Sequence, residues 1–375
     1  MTNWQNEFPQ APDLCYLNHA AVGVWPLRAN KAVKHFADEN LSEGATGYLS
    51  WLDTEKKCRQ RLQRLVNASS TDEIALVKNT SEALSFVAYG IDWAPGDEIV
   101  IPDTEFPSNR IVWESLQSQG VKVIPVNIHQ GNPEQAIIAA CNNKTRLVSV
   151  SSVQFGTGLM LNLQQLGEHC SKSDILYCVD AIQSVGAFSF DVQRCHIDFA
   201  MADGHKWMFG PEGLGFFYCR QALINTLKLH QYGWRMLSNL DFDQSEWQPS
   251  SSATRFECGS PNMLAIHALE ASLSLIEEVG VNTIEQAILQ TTGYLVSELQ
   301  KHASINIISN QDNTRKSGII TFISSNKPSK SLYHELMKQR IICAYRGGGI
   351  RFSPHFYTTK ATIDLAITRL FNIID

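Results

Sequence analysis

The stretch "DFAMADGHKWMFGPEGLGFFYC", Asp198 to Cys219, carries one lysine into a corner between two apolar runs of strand length. "DFAMAD" and "LGFFYC" flank Gly204, His205 and Lys206, followed by a turn built on Gly210, Pro211 and Gly213. Apolar runs without polar alternation belong to strands covered on both faces, as in a largely parallel sheet. A lysine at the end of such a strand is poorly placed for solvent, so Lys206 becomes the candidate for a covalent role.

Working outward, the same pattern recurs. "EIALVKN", "DEIVIP", "VKVIPVNI", "TRLVSVSS" and "DILYCVD" read as further strands, which makes seven with the two above. Helical stretches such as "SEALSFVAYGI" and "NLQQLGEHCSKS" alternate with them, which is the signature of an α/β domain. The expected organisation is a large α/β domain over residues 21–258 and a smaller α+β domain over 259–375. The boundary falls near the Pro–Asn break at Gly259–Asn262, and residues 1–20 fold back onto the small domain. Upstream, "WLDTEKKCRQRLQRLVNA" is an amphipathic helix with Leu62, Leu65 and Val66 on its apolar side.

The bulk numbers narrow the function class. The chain has 375 residues, 44% of them hydrophobic, which is ample for two packed lobes. Its net charge of −6, with both signs interspersed, argues against a nucleic-acid partner. No basic stretch followed by an apolar run stands at the start, and no apolar run is long enough to span a bilayer. Nine scattered cysteines without a CxxC pair point to a reducing cytoplasm rather than a disulfide framework. No histidine spacing suggests a metal site.

In a parallel sheet, ligand groups gather at the carboxyl ends of the strands. Asp180 ends "ILYCVD", Thr80 and Ser81 follow "EIALVKN" and open a helix, Ser152 and Gln154 follow "RLVSV", and His205 and Lys206 follow "DFAMAD". These are the groups that pyridoxal 5'-phosphate requires. An amine forms the Schiff base, and a carboxylate keeps the pyridine nitrogen protonated. Hydroxyls and N–H groups at a helix start bind the phosphate. Thr80 and Ser81 could equally be an N-cap pair, but capping and phosphate binding use the same geometry. Asp180 has a competing reading as a cap of the following "DAIQ".

Five further motifs in order, "KNTSEAL", "VDAIQSVG", "DGHKWMFGPEGLGF", "RFECGSPN" and "IRFSPHFY", carry a resemblance. The chain resembles the aminotransferase class V group of fold-type I pyridoxal-phosphate enzymes, which includes cysteine desulfurases, selenocysteine and C–S lyases and kynureninases. The similarity runs from "YLNHAAVG" at Tyr16 to "GGGIRFSPHFYTT" at Gly347. It implies Lys206 as the Schiff-base lysine and Asp180 as the partner of the pyridine nitrogen. It implies Gln183 and Gln154 near the ring oxygen, Phe106 stacked on the ring, and Thr80, Ser81 and His205 on the phosphate. Ser260 would reach the phosphate of a neighbouring subunit, which implies a homodimer. Arg351 falls where the substrate carboxylate binds, a task suited to a guanidinium fork. Arg346 flanks the same glycine run, and the sequence leaves open which of the two meets the carboxylate. His19, Tyr232 and Trp234 are candidates for the substrate pocket, with ordinary packing as the competing reading.

Two departures from the desulfurase pattern bear on the reaction. Phe106 stands where desulfurases stack a histidine. The loop before Arg351, which in desulfurases carries a nucleophilic cysteine, is short here and has none; Cys343 lies in the preceding apolar run "RIICAY". The expectation is a cytoplasmic, homodimeric enzyme that cleaves a C–S bond of a small amino acid by β-elimination. A class V aminotransferase and a kynureninase-like hydrolase are the alternatives.

Overall fold

The computed structural model describes residues 4–239 and 246–375. Thirteen strands occur among them. They are β1 (Cys15–Tyr16), β2 (Ile74–Val77), β3 (Glu98–Pro102), β4 (Lys122–Val126), β5 (Thr145–Ser151), β6 (Leu176–Asp180) and β7 (Phe199–Asp203). β8 (Gly215–Cys219), β9 (Ile305–Ile307), β10 (Ile320–Ser324), β11 (Ile341–Ile342), β12 (Ala344–Arg346) and β13 (Gly349–Phe352) complete the set. A seven-stranded sheet has the order β2-β8-β7-β6-β5-β3-β4. Only β8 runs against its neighbours.

The apolar runs explain this sheet. Along β2, Ile74 and Leu76 join one buried cluster while Ala75 and Val77 join another. The same alternation divides Ala200 and Ala202 from Phe199 and Met201 in β7, and Phe216 and Tyr218 from Phe217 and Cys219 in β8. Successive side chains point to opposite faces of a strand, so both faces of the sheet are dry. Helices supply the covers. Tyr48–Leu65 buries Trp51, Cys58 and Leu62 at helical spacing, while Leu65 is only partly buried. Among the described residues no helix is long and apolar enough to cross a membrane.

A four-stranded antiparallel sheet, β12-β13-β10-β9, is backed by the helices Ser329–Lys338 and Lys360–Ile374 around a third core. That core takes in Cys15 and Leu17 and, downstream, begins at Leu295 within the helix Val281–Leu299, whereas the preceding helix Met263–Val279 packs on the helices Leu27–Glu43 and Tyr48–Leu65 of the large sheet's cover. The apolar run "IICAYR" divides at Cys343, because β11 pairs with β1 while β12 pairs with β13. Cys15 and Tyr16 therefore run parallel to Ile341 and Ile342 in a separate two-stranded sheet, which attaches the N-terminal segment to the third core. Residues 1–3 of that segment lie outside the described residues.

The N-terminal segment then crosses to the large sheet. Gly23 donates to the carbonyl of His205 at 2.6 Å, and a Cβ on Gly23 would lie 2.1 Å from the carbonyl oxygen of Lys206. Only glycine permits that approach.

Candidate active site

Lys206 sits in the loop between β7 and β8, and its neighbours hold it there. Trp207, Met208 and Phe209, which follow it, are all buried. Gly204 closes the loop by donating to Leu214 at 2.8 Å and accepting from Gly210 at 2.8 Å. With three large apolar side chains anchored on its C-terminal side and Asp203 held in β7 before it, Lys206 is largely withdrawn from solvent, 8% exposed. Burial pulls its proton affinity down to about 8, partly offset by Asp180 and reinforced by Arg351. An amine in that range is available as a nucleophile near neutral pH.

The amine opens onto a cavity of about 280 Å³. Thr80, Ser81, Phe106, Gln183, His205 and Arg351 of the expected residues line it, together with Arg346. Phe106 presents its ring 5.6 Å from the Lys206 amine and packs edge-on against Phe155. Asp180, at the end of β6, is 2% exposed, and its Oδ1 accepts from the backbone N–H of Ile182 at 3.0 Å. Burial raises its pKa to about 6, against the pull of that N–H and of Lys206. At pH 7 it is still a carboxylate. It caps no helix, since the residues that follow form a turn.

The helix Thr80–Gly90 starts at the cavity wall. Asn79 caps it by accepting from Glu82 N–H at 2.9 Å, and the Glu82 carboxylate accepts from Lys78 N–H at 2.7 Å. The Thr80 hydroxyl accepts from Asp203 N–H at 3.1 Å, which ties the helix start to the end of β7. Ser81 donates to Ser108 at 2.8 Å. His205 Nδ1 stands 3.1 Å from Asp203 Oδ1, off the line of a hydrogen bond, so both atoms are buried without one. Gln183 is held at both ends of its amide: it donates to Ala20 O at 3.0 Å and accepts from Trp207 Nε1 at 2.8 Å.

Arg351 is 3% exposed, on β13. Nη1 donates to Phe155 O at 2.8 Å, while its Nε has no partner. Burial, then the nearby Arg346, depresses its pKa to about 10. A buried guanidinium that faces a cavity without a carboxylate partner is set up to receive one from a ligand.

Not every expected residue reaches the cavity. His19 is fully buried behind its wall, with Nδ1 2.9 Å from Ser353 O and Nε2 2.8 Å from the Tyr357 hydroxyl. Burial lowers its pKa to about 4, so it is a neutral core histidine among Trp207, Phe209 and His355. Ser260 is exposed and lines a different cleft, with Asn79 and Gln231. Tyr232 is also exposed, in a third cleft with Trp247. Gln154 is buried and turned to Glu105, donating to Oε1 at 3.1 Å.

Glu105 was not singled out from the sequence, although it directly precedes Phe106. Its carboxylate accepts from Ser151 N–H at 2.7 Å, from the Ser151 hydroxyl and from Gln154. Burial raises its pKa to about 7. Three donors aimed at one buried carboxyl fix the strand end that carries Gln154. Glu105→Gln turns an amide N–H₂ toward those donors and should lower apoprotein stability by about 1–3 kcal/mol in thermal unfolding. An unchanged melting temperature would show that the network carries no such role.

The aminotransferase class-V profile matches residues 16–365. A probable cysteine desulfurase of Methanothermobacter thermautotrophicus is 29% identical, over 96% of this chain and 95% of its own length. An uncharacterized aminotransferase of Bacillus subtilis, YcbU, is 27% identical over 91% of this chain and 89% of its own. Among solved structures, the cystine C–S lyase C-DES in complex with cysteine persulfide superposes with a TM-score of 0.90 at 23% identity, covering 97% of this chain and 98% of that one. The cysteine desulfurase CsdA of Escherichia coli gives 0.88 at 20% identity, over 99% and 98%.

The residues present fit pyridoxal phosphate. A buried amine with lowered proton affinity and a His205 nitrogen without a hydrogen bond beside a helix start open onto one cavity, and the buried Asp180 carboxylate, behind its wall, is coupled to that amine. With this fold-type I architecture and the match across nearly its whole length, the chain belongs to the aminotransferase class-V family of pyridoxal-phosphate-dependent enzymes.

Proposed function

We propose that this enzyme cleaves a C–S bond of a small amino acid by direct β-elimination, without a thiol of its own. The observation that carries the reading is Arg351, a buried guanidinium with a free Nε on the same cavity as Lys206. It supports recognition of an α-carboxylate that places Cα near the lysine amine. The names of the relatives support sulfur chemistry, since several are probable cysteine desulfurases and C-DES is a cystine C–S lyase.

Bound pyridoxal phosphate supplies an aldehyde for amines and a ring that accepts the electron pair left at Cα. The chain's residues do the rest. Thr80, Ser81 and His205 would hold the phosphate at the helix start, Phe106 would cover one face of the ring, and Gln183 would meet its O3′, with Gln154 behind it. Asp180 would hold a proton on the pyridine nitrogen. Arg351 would orient the substrate, and the Lys206 amine would remove the Cα proton. The C–S electron pair leaves with sulfur. Ser260, exposed and outside this cavity, would serve the site of a second copy in a homodimer. Nine unpaired cysteines support a cytoplasmic location.

The decisive assay is a panel of sulfur amino acids scored for pyruvate with a released sulfur product, and for keto-acid-dependent amino transfer. Pyruvate formation supports the lyase reading; amino transfer alone overturns it. Among the described residues no cysteine lines the cavity, and Cys343 is buried in the small core with burial pushing its thiol up to about 12. Cys343→Ala should therefore cost on the order of 1 kcal/mol of stability and leave turnover largely intact. A persulfide trapped on Cys343 during turnover, with an inactive Cys343→Ala variant, would make the enzyme a desulfurase instead.

A further inference from the structure

Two guanidinium groups open onto the Lys206 cavity, and the proposed reaction uses one. Arg351 is deep, and Arg346 is exposed at the mouth. Arg346 closes β12 opposite Gly349, and its Nη1 donates only to Tyr345 O, at 3.0 Å. Among the described residues, neither guanidinium has a carboxylate within ion-pair distance.

The tip that carries Arg346 is fixed in place. Gly347 adopts φ +61, and a Cβ there would lie 2.2 Å from the carbonyl oxygen of Gly156. The neighbouring carbonyl, that of Phe155, takes the Arg351 hydrogen bond. One turn, Phe155–Gly156, therefore positions both cations. The phosphate would be held at the helix start by Thr80, Ser81 and His205, and a single α-carboxylate bound at the buried arginine leaves the outer cation unmet.

We infer that Arg346 binds a second anionic group, carried on the β-substituent beyond the sulfur, so that preferred substrates are small S-substituted cysteines with an acidic tail. One cation lies deep and one shallow, which matches a ligand with a negative charge at each end. The inference rests on the amino-acid reading of the cavity.

S-carboxymethylcysteine and S-carbamoylmethylcysteine have nearly the same shape and differ in that one charge. Each is titrated into the holoenzyme at low salt, and binding is followed by the change in cofactor absorbance. Wild type should prefer the carboxymethyl compound by roughly tenfold, the scale of one charged hydrogen bond. Arg346→Gln should bring that ratio close to one, and Arg346→Lys should keep part of it. Absence of the preference in wild type overturns the inference. So does an Arg346→Gln variant that weakens both compounds by the same factor, which would assign Arg346 to the α-carboxylate. Because binding is read before any bond breaks, a failure to release sulfur would count against the lyase reading alone.

Discussion

Lys206→Ala is expected to abolish turnover, by roughly 10⁴-fold or more, while the holoprotein still retains cofactor by non-covalent contacts. The other groups of the site stand on separate elements: Asp180 at the end of β6, Thr80 and Ser81 at the start of their helix, Gln183 held by Ala20 and Trp207. None depends on the lysine for its position. A second readout separates loss of chemistry from loss of fold. The folded-state pKa of Lys206 is lowered to about 8 from an ordinary 10.5, so burying its charge opposes folding at every pH below about 8. That penalty is relieved as pH rises from 8 to 10.5, where the unfolded chain holds the extra proton. The apoprotein of Lys206→Ala should lack this rise and be no less stable than wild type at pH 7. Turnover in the variant would remove Lys206 from its assigned role.

Asp180→Asn should fold and bind, but lose Cα proton exchange by roughly a thousandfold. The carboxylate is buried, and one oxygen is already committed to Ile182 N–H. Asparagine can keep that bond, and it nearly matches the volume. It cannot keep a proton on a ring nitrogen, because it carries no negative charge to stabilise it. Added amino acid should still change the cofactor's absorbance, while exchange of the Cα hydrogen with deuterated solvent collapses. Exchange near the wild-type rate would show that another group supplies the charge.

The readable part of this molecule was whatever a single strand and its end could encode. Lys206, Asp180 and Thr80 each follow an apolar run, and a two-faced sheet sends the ends of such runs to one edge. His19 could not be placed that way. Its fate is decided by Ser353 and Tyr357, more than three hundred positions later, which close both ring nitrogens and withdraw it into the core. The contact between Gln154 and Glu105 was hidden for the same reason, since it joins separate elements together with Ser151. The division of "IICAYR" between two sheets was equally invisible, because the run is continuous up to Tyr345 and only the partners of its two halves differ.

The pairing of β1 with β11 sets a schedule for making the site. Ala20 and Ala21 line the cavity, and Ala20 N–H is held by the Ser353 hydroxyl at 3.0 Å. During synthesis at about 5–20 residues per second, the first strand waits on the order of tens of seconds for its partner to emerge. Through that interval the seven-stranded sheet can assemble from local crossovers, but the wall beside Lys206 stays unbuilt. Closure of the cavity is thus a late step, reached only once β11 and Ser353 have emerged.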